Sequence, residues 1–289
     1  MAIFFYDKYS EQGNSSNFGD DINPILLENL FSKSLIENPD ICLLGIGTII
    51  SDQNAAKVSG YKKKVVFTSG VGYGTLLSRF DDSWDFVCVR GPLSANALGL
   101  PKSAAICDGA ILLSKIFPLK PYNPSGPTVL IPHVDTDSVA GVPLRKVAAK
   151  CGFTYLVPKE PISTFIETVQ SASLVITEAM HGAILAETMR VPWHPIDIHH
   201  HNEFKWKDWF SSISMDYRID KVTPKLWNRM LTLRSRAMAP AHYWKECRVS
   251  QRLKRADSIN NRLLGAEAVI EGKQDLLLER VAYINETYG

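Results

Sequence analysis

The sequence predicts an α/β protein built on parallel sheets, and three observations carry that expectation. Short apolar runs alternate with helix-like stretches over residues 1–220, the runs end repeatedly in glycine, histidine or acidic residues, and 45% of the 289 residues are apolar, enough to fill the cores such layers need.

Taken in order, "AIFFY", "ICLLGIG", "KVVFTSG", "DFVCVRG" and "AAICDGA" come first, then "PTVLIPH", "FTYLVP", "SLVITEA" and "PWHPID", each read as a strand. Between the fifth and sixth runs, "FPLKPYNPSGPT" sets four prolines among Asn, Ser and Gly, a composition that interrupts helix and strand alike. Two α/β domains of similar topology are therefore expected, residues 1–120 and 121–220. In residues 221–289 the spacing turns helical, as in "PKLWNRMLTLRSRAM" and "GKQDLLLERVAYI", and part of this tail is expected to pack back on the first domain.

A net charge of +2 conceals an asymmetry: residues 1–220 carry 19 Lys+Arg against 23 Asp+Glu, and residues 221–289 carry 13 against 7. The basic tail suits a solvated helical face or an anionic neighbour such as a membrane surface or a phosphorylated carrier. A nucleic-acid partner is not expected. Met1 to Phe5 is too short for a signal peptide and no run has the length of a spanning helix, so a cytoplasmic protein is expected. Cys42, Cys88, Cys107, Cys151 and Cys247 are odd in number and widely spaced, mostly within apolar runs, which suggests small core residues rather than disulfides or a zinc site.

Open α/β sheets bind ligands beyond the carboxyl ends of their strands, so the residues that follow each run are the informative ones. "NFGDDINPIL" places Asn17, Asp20 and Asp21 on a loop, with Pro24 suited to the first turn of a helix. Gly47 in "GIGTII" and Gly70 and Gly72 in "SGVGYG" let backbone N–H groups approach an anion, although such glycines also serve plain strand-to-helix turns and neither cluster has dinucleotide-binding spacing. Arg90 closes a strand before Gly91, Pro92 and Ser94, and a guanidinium beside a helix N-terminus is matched to phosphate or carboxylate; the alternative is an arginine tied to a neighbouring carboxylate. Asp108 in "ICDGAILL" either orients Arg90, acts on a substrate hydroxyl or caps the helix after it.

In "SLVITEAMHGAILAETM", His181 stands where an apolar strand gives way to a helix that Gly182 opens, a place with few packing reasons for an imidazole. Glu178 either holds its tautomer or caps that helix, and His133 in "IPHVD" faces the same crevice from a neighbouring strand. The triplet His199, His200 and His201, near His194 and Asp197, raises a metal site, but adjacent histidines cannot all reach one ion and no "HExxH" spacing accompanies them, so no metal is expected.

Together, "NFGDDINP", "LGIGTII", "VRGPLSANALGL", "CDGAILL", "IPHVD" and "TEAMHGAILAETMRVP" resemble the polysaccharide pyruvyl transferase family, above all its bacterial exopolysaccharide members, in order from Asn17 to Pro192. The resemblance implies two Rossmann-like domains in a GT-B-like arrangement, and transfer of pyruvate from phosphoenolpyruvate to two hydroxyls of one sugar to give a cyclic ketal, with no metal or organic cofactor. It further implies a lipid-linked oligosaccharide acceptor at the inner face of the membrane, which would give the basic tail an anionic surface to lie on. His181 is then the expected proton donor and acceptor, and Asp20 or Asp108 the base toward the sugar. Arg90, with Asn17, Gly47, Gly70, Gly72, Ser94, His133, Glu178 and Gly182, is expected to bind substrate. Many members carry Arg-x-His-Gly; here Ala179 replaces that arginine, which leaves Arg190, Arg145 or His133 as the second cationic contact. Two other readings stand beside this one: a GT-B-type glycosyltransferase using a nucleotide sugar, and a non-catalytic carbohydrate-binding protein of polymer assembly.

Overall fold

A computed structural model describes residues 2–4, 17–74, 76, 80–222, 239–258 and 262–289. In chain order the first elements are β1 (Ala2–Phe4), α1 (Phe18–Leu30), α2 (Lys33–Glu37), β2 (Ile41–Leu44), α3 (Asp52–Lys57), β3 (Lys63–Phe67), β4 (Trp84–Cys88), α4 (Pro92–Ala97) and α5 (Leu113–Ile116). There follow β5 (Thr128–Ile131), α6 (Val134–Cys151), β6 (Thr154–Tyr155), α7 (Ile162–Ser171), β7 (Leu174–Thr177), α8 (Met180–Thr188) and β8 (Trp193–Asp197). The chain ends with α9 (Glu203–Ser212), β9 (Asp220–Lys221), α10 (Ala239–Ala256) and α11 (Glu267–Tyr288). Two sheets form, ordered β1-β2-β3-β4 and β6-β5-β7-β8-β9, and every strand pairing in them is parallel. The α/β class with parallel sheets is thus the one the apolar runs indicate.

The chain divides into two compact units. Unit 1 comprises Met1–Pro118, Asn202–Tyr217 and Gly265–Gly289, and unit 2 comprises Leu119–His201 and Arg218–Leu264. The first division falls at the proline-rich stretch; the later ones differ from three consecutive blocks because long-range bonds recruit separate segments. In unit 1, Asp208 of α9 bonds to Arg90, Leu93 and Ser94, and three side chains of α11 bond to earlier residues: Gln274 to the Ile111 carbonyl, Asn285 to the Leu30 carbonyl and Tyr288 to Asp85. Helices α10 and α11 make up most of the described tail, which is divided between the units: α10 lies in unit 2 and α11 in unit 1, while residues 223–238, which contain all of "PKLWNRMLTLRSRAM", lie outside the described residues.

β2 and β7 are buried along their whole length, and β3 along all but its first residue, as central parallel strands require. In unit 1 the sheet packs Cys42, Leu44 and Val66 with Ile49, Ile50, Val58, Val89 and Ala95. In unit 2, Leu130, Leu174 and Ile176 of the sheet meet Leu144, Val147 and Ala148 of α6, and Val249, Leu253 and Ala256 of α10 close the same core. α6 is bounded by local chemistry: the His133 ring caps its start by accepting from Asp135 N–H at 3.2 Å, and Gly152, at φ 77°, ends it in the left-handed region.

Two local expectations are corrected. "AAICDGA" is not a strand: Ala105 makes a single parallel bridge to Val89, and Asp108 then accepts from Ala110 N–H and turns the chain into a 3-10 helix, Gly109–Leu112. α1 begins at the Asn17 cap, well ahead of Pro24, which lies inside the helix. Cys42, Cys88 and Cys107 are core residues, whereas Cys151 and Cys247 are half-buried. All five are free, and burial pushes the Cys42 thiol up to about 11 and those of Cys88 and Cys107 up to about 12.

Candidate functional site

Unit 1 holds the residues read as an anion receptor, and it uses them internally. Arg90 leaves β4 fully buried, and each guanidinium nitrogen donates to protein: Nε to Asp208 Oδ2 at 3.1 Å, Nη1 to Thr48 Oγ1 at 2.7 Å and Nη2 to the Val71 carbonyl at 2.9 Å. Asp208, equally buried, accepts from Leu93 N–H at 2.9 Å and Ser94 N–H at 3.0 Å in the first turn of α4, and from Ser94 Oγ at 2.5 Å. The chain's own carboxylate therefore occupies the helix N-terminus expected to receive a donor anion, and Arg90 and Ser94 hold that carboxylate in place.

The glycines follow the same logic. Gly70 N–H donates to the Gly47 carbonyl at 2.8 Å, so it is not offered to a ligand. A side chain at Gly70 would collide with the Arg90 guanidinium, and one at Gly91 with Asp208. Gly72, half-buried with φ 147°, presents its carbonyl to Asn202 Nδ2 at 2.7 Å. Asn17 caps α1 through Gly19 N–H at 3.0 Å and also bonds Asp20, which is buried in the first turn of α1 with Gly47 beside it. Of the three roles open to Asp108, the one observed is capping, from a fully buried position.

Unit 2 gathers its candidates at one end of its sheet. In the order β6-β5-β7-β8-β9 the chain progresses to opposite sides from β5, so the gap between β5 and β7 is a topological switch point, where α/β sheets bind ligands. The register sets Ile131 beside Thr177, and Thr177 beside Pro195, so the segments after β5, β7 and β8 emerge side by side. They carry His133, Glu178 with His181, and His199 to His201.

Glu178 ties these segments together. It is 1% exposed; Oε2 accepts from His133 N–H at 2.9 Å, and Oε1 accepts from Ile198, His199 and His200 N–H at 3.1, 2.7 and 2.9 Å. It therefore neither caps α8 nor bonds the His181 ring; it fixes the two neighbouring loops. The His133 and His200 rings stack, with centroids 4.1 Å apart and planes at 19°, and Asp135 Oδ2 lies 3.6 Å from Nδ1 of each. His181, half-buried, lies in the first turn of α8, whose N-cap residue Ala179 supplies no capping side chain; Gly182 follows with a side chain's space already taken by Thr177 Oγ1. The first-turn N–H groups of α8 and an imidazole thus share the carboxyl end of β7.

The cations proposed for the place vacated at Ala179 separate clearly. Arg190 pairs at 2.7 Å with buried Glu187 beyond the C-terminal end of α8, which at 1.5 Å per residue is roughly 13 Å from the turn that carries His181. Arg145 reaches back along α6 to Asp137 at 3.1 Å and lies over the Tyr155 ring. Tyr155 donates to the same carboxylate, and burial together with Asp137 holds its phenol well above the usual range. His133 alone of the three is brought to the segment beside Glu178. Asp208 and Asp135 were not distinguished by the sequence, and His200 only as one of a triplet, since Asp208 meets Arg90 and Asp135 meets His200 from segments far apart along the chain.

Comparison with known proteins gives the family that the motifs resemble. The family profile described as "Polysaccharide pyruvyl transferase" matches residues 6–200. The "Succinoglycan biosynthesis protein ExoV" of Rhizobium meliloti (strain 1021) is 32% identical over 216 residues, 74% of this chain and 67% of that protein. A solved chain titled "Crystal Structure Analysis of the Glycotransferase of kitacinnamycin" aligns over 99% of this chain and 85% of its own length at 9% identity and a TM-score of 0.36, a likeness too low to assign fold or chemistry.

The Arg90–Asp208 pair yields a stability test. Breaking a buried ion pair from one side leaves the other charge uncompensated, so Asp208→Ala should lower unfolding stability by about 3–5 kcal/mol. Denaturant unfolding followed by the fluorescence of the unit 1 tryptophans should show the loss; an unchanged midpoint would remove the pair from the unit's architecture.

Proposed function

Because the chain belongs to the polysaccharide pyruvyl transferase family, we propose that it moves a pyruvyl group from phosphoenolpyruvate to two hydroxyls of one sugar in an exopolysaccharide unit, closing a cyclic ketal. The observation that carries this reading is the convergence of His133, Glu178 and His181 at the switch point of unit 2, beside the starts of α6 and α8.

The chemistry asks for an anion site and a proton carrier. In the first step the C3 methylene takes up a proton and becomes a methyl group, C2 gains oxocarbenium character, and one sugar oxygen bonds to C2 as its hydroxyl proton leaves. The C2–O bond to phosphate then breaks, the second sugar oxygen bonds to C2, and its proton accompanies the departing phosphate. His181 is the group assigned to give and take these protons, since an imidazole exchanges them near neutral pH. First-turn N–H groups of α8 supply donors to the carboxylate or phosphate.

Incubation with phosphoenolpyruvate and a panel of lipid-linked or synthetic oligosaccharides, with mass detection of the added group, tests the reading. His181→Ala should reduce turnover by about 10²–10⁴-fold with the fold retained. Full turnover in that variant removes His181 from the mechanism, and transfer from a nucleotide sugar instead of phosphoenolpyruvate replaces the reading with a glycosyltransferase.

A lipid-linked acceptor also gives α10 a role at an anionic membrane surface. No helix among the described residues is long and apolar enough to cross a membrane. α10 buries Val249, Leu253 and Ala256 and exposes Trp244, at 69%, with Arg248, Arg252, Lys254 and Arg255. The full-length protein should float with vesicles containing anionic lipid, and Trp244→Ala combined with Arg248→Glu should abolish flotation. Equal recovery of both proteins in the soluble fraction would exclude this attachment.

A further inference from the structure

We propose that His133, Asp135 and His200 form a binding site for one divalent transition-metal ion of the zinc, cobalt or nickel kind. The proposal goes beyond pyruvyl transfer and does not depend on it. One ligand atom from each of the three residues lies within 4.8 Å of the other two. Asp135 Oδ2 stands 3.6 Å from both His133 Nδ1 and His200 Nδ1. Metal–ligand bonds of about 2.0–2.2 Å at a tetrahedral angle separate neighbouring ligand atoms by roughly 3.4 Å, so two of the three spacings lie a few tenths of an ångström from those of a bound ion.

Two further features single out this cluster among carboxylates and histidines at large. Both histidines are fixed from behind by one buried carboxylate, since Glu178 accepts from the backbone N–H of His133 through one oxygen and of His200 through the other. The stacked rings each hold Nδ1 3.6 Å from the same aspartate oxygen, so the three donor groups are gathered before any ion arrives. The donor set is two imidazoles and one carboxylate, which suits zinc-like ions and leaves coordination positions for water or an anionic ligand. Ligation through His133 Nδ1 displaces the bond it accepts from Asp135 N–H, a cost that points to moderate rather than very tight affinity.

The test uses the full-length, untagged protein, stripped with a chelator. Titration with Co²⁺ followed by visible absorption, and with Zn²⁺ by calorimetry, should show one saturable ion per chain. His200→Ala and Asp135→Asn should each weaken binding by about tenfold or more, while His199→Ala, at the exposed neighbouring histidine, should leave it unchanged. The near-isosteric Asp135→Asn, checked by circular dichroism, separates loss of a ligand from loss of fold. No saturable uptake, or uptake indifferent to His200→Ala and Asp135→Asn, or uptake lost equally in His199→Ala, would overturn the proposal.

Discussion

The carboxylate of Glu178 is the constraint on which the candidate site rests. Four backbone N–H groups from the segments after β5 and β8 converge on this carboxylate, which is itself 1% exposed. A buried carboxylate left without partners costs about 1–3 kcal/mol or more, so the bonds from these loops are what makes the position of Glu178 tenable. His133 and His200 owe their stacking to that grip, and His181 follows Glu178 by less than one helical turn. A single buried acid thereby converts three chain segments into one chemically dense edge.

Unit 1 shows the opposite use of similar parts. Arg90, Ser94, Gly70 and Gly91 have the composition of an anion receptor, yet Asp208 fills the position that an anion would take. The guanidinium gains three bonds and the short helix α4 gains a cap, so the arrangement organises the unit rather than presenting charge to solvent. The anionic groups of the proposed donor are consequently assigned to the carboxyl edge of the unit 2 sheet, where helix N-termini and imidazoles are at hand.

Much of this was legible in the sequence, and the misreadings have a common cause. Eight of the nine apolar runs became strands because each is short, apolar and bounded by turn residues, whereas "AAICDGA" makes a single bridge before Asp108 turns the chain into a 3-10 helix. The place of His181 followed from a strand giving way to a helix, a purely local pattern. Arg90 could not be resolved because its partner Asp208 is 118 residues away, in a helix whose sequence carries no mark of the pairing. For the same reason Glu178 looked like a partner for its own helix, when its bonds reach 45 residues back and 22 forward. Local chemistry predicts elements and caps; which charge meets which is decided by tertiary structure.

The proposed placement of donor recognition at unit 2 is tested most directly by backbone and imidazole resonances of isotope-labelled protein during titration with phosphoenolpyruvate. Shifts centred on His133, Glu178 to Gly182 and His199 to His201 are expected. Shifts confined to Gly70, Gly72 and the Arg90 side chain, with the unit 2 histidines unmoved, would contradict it.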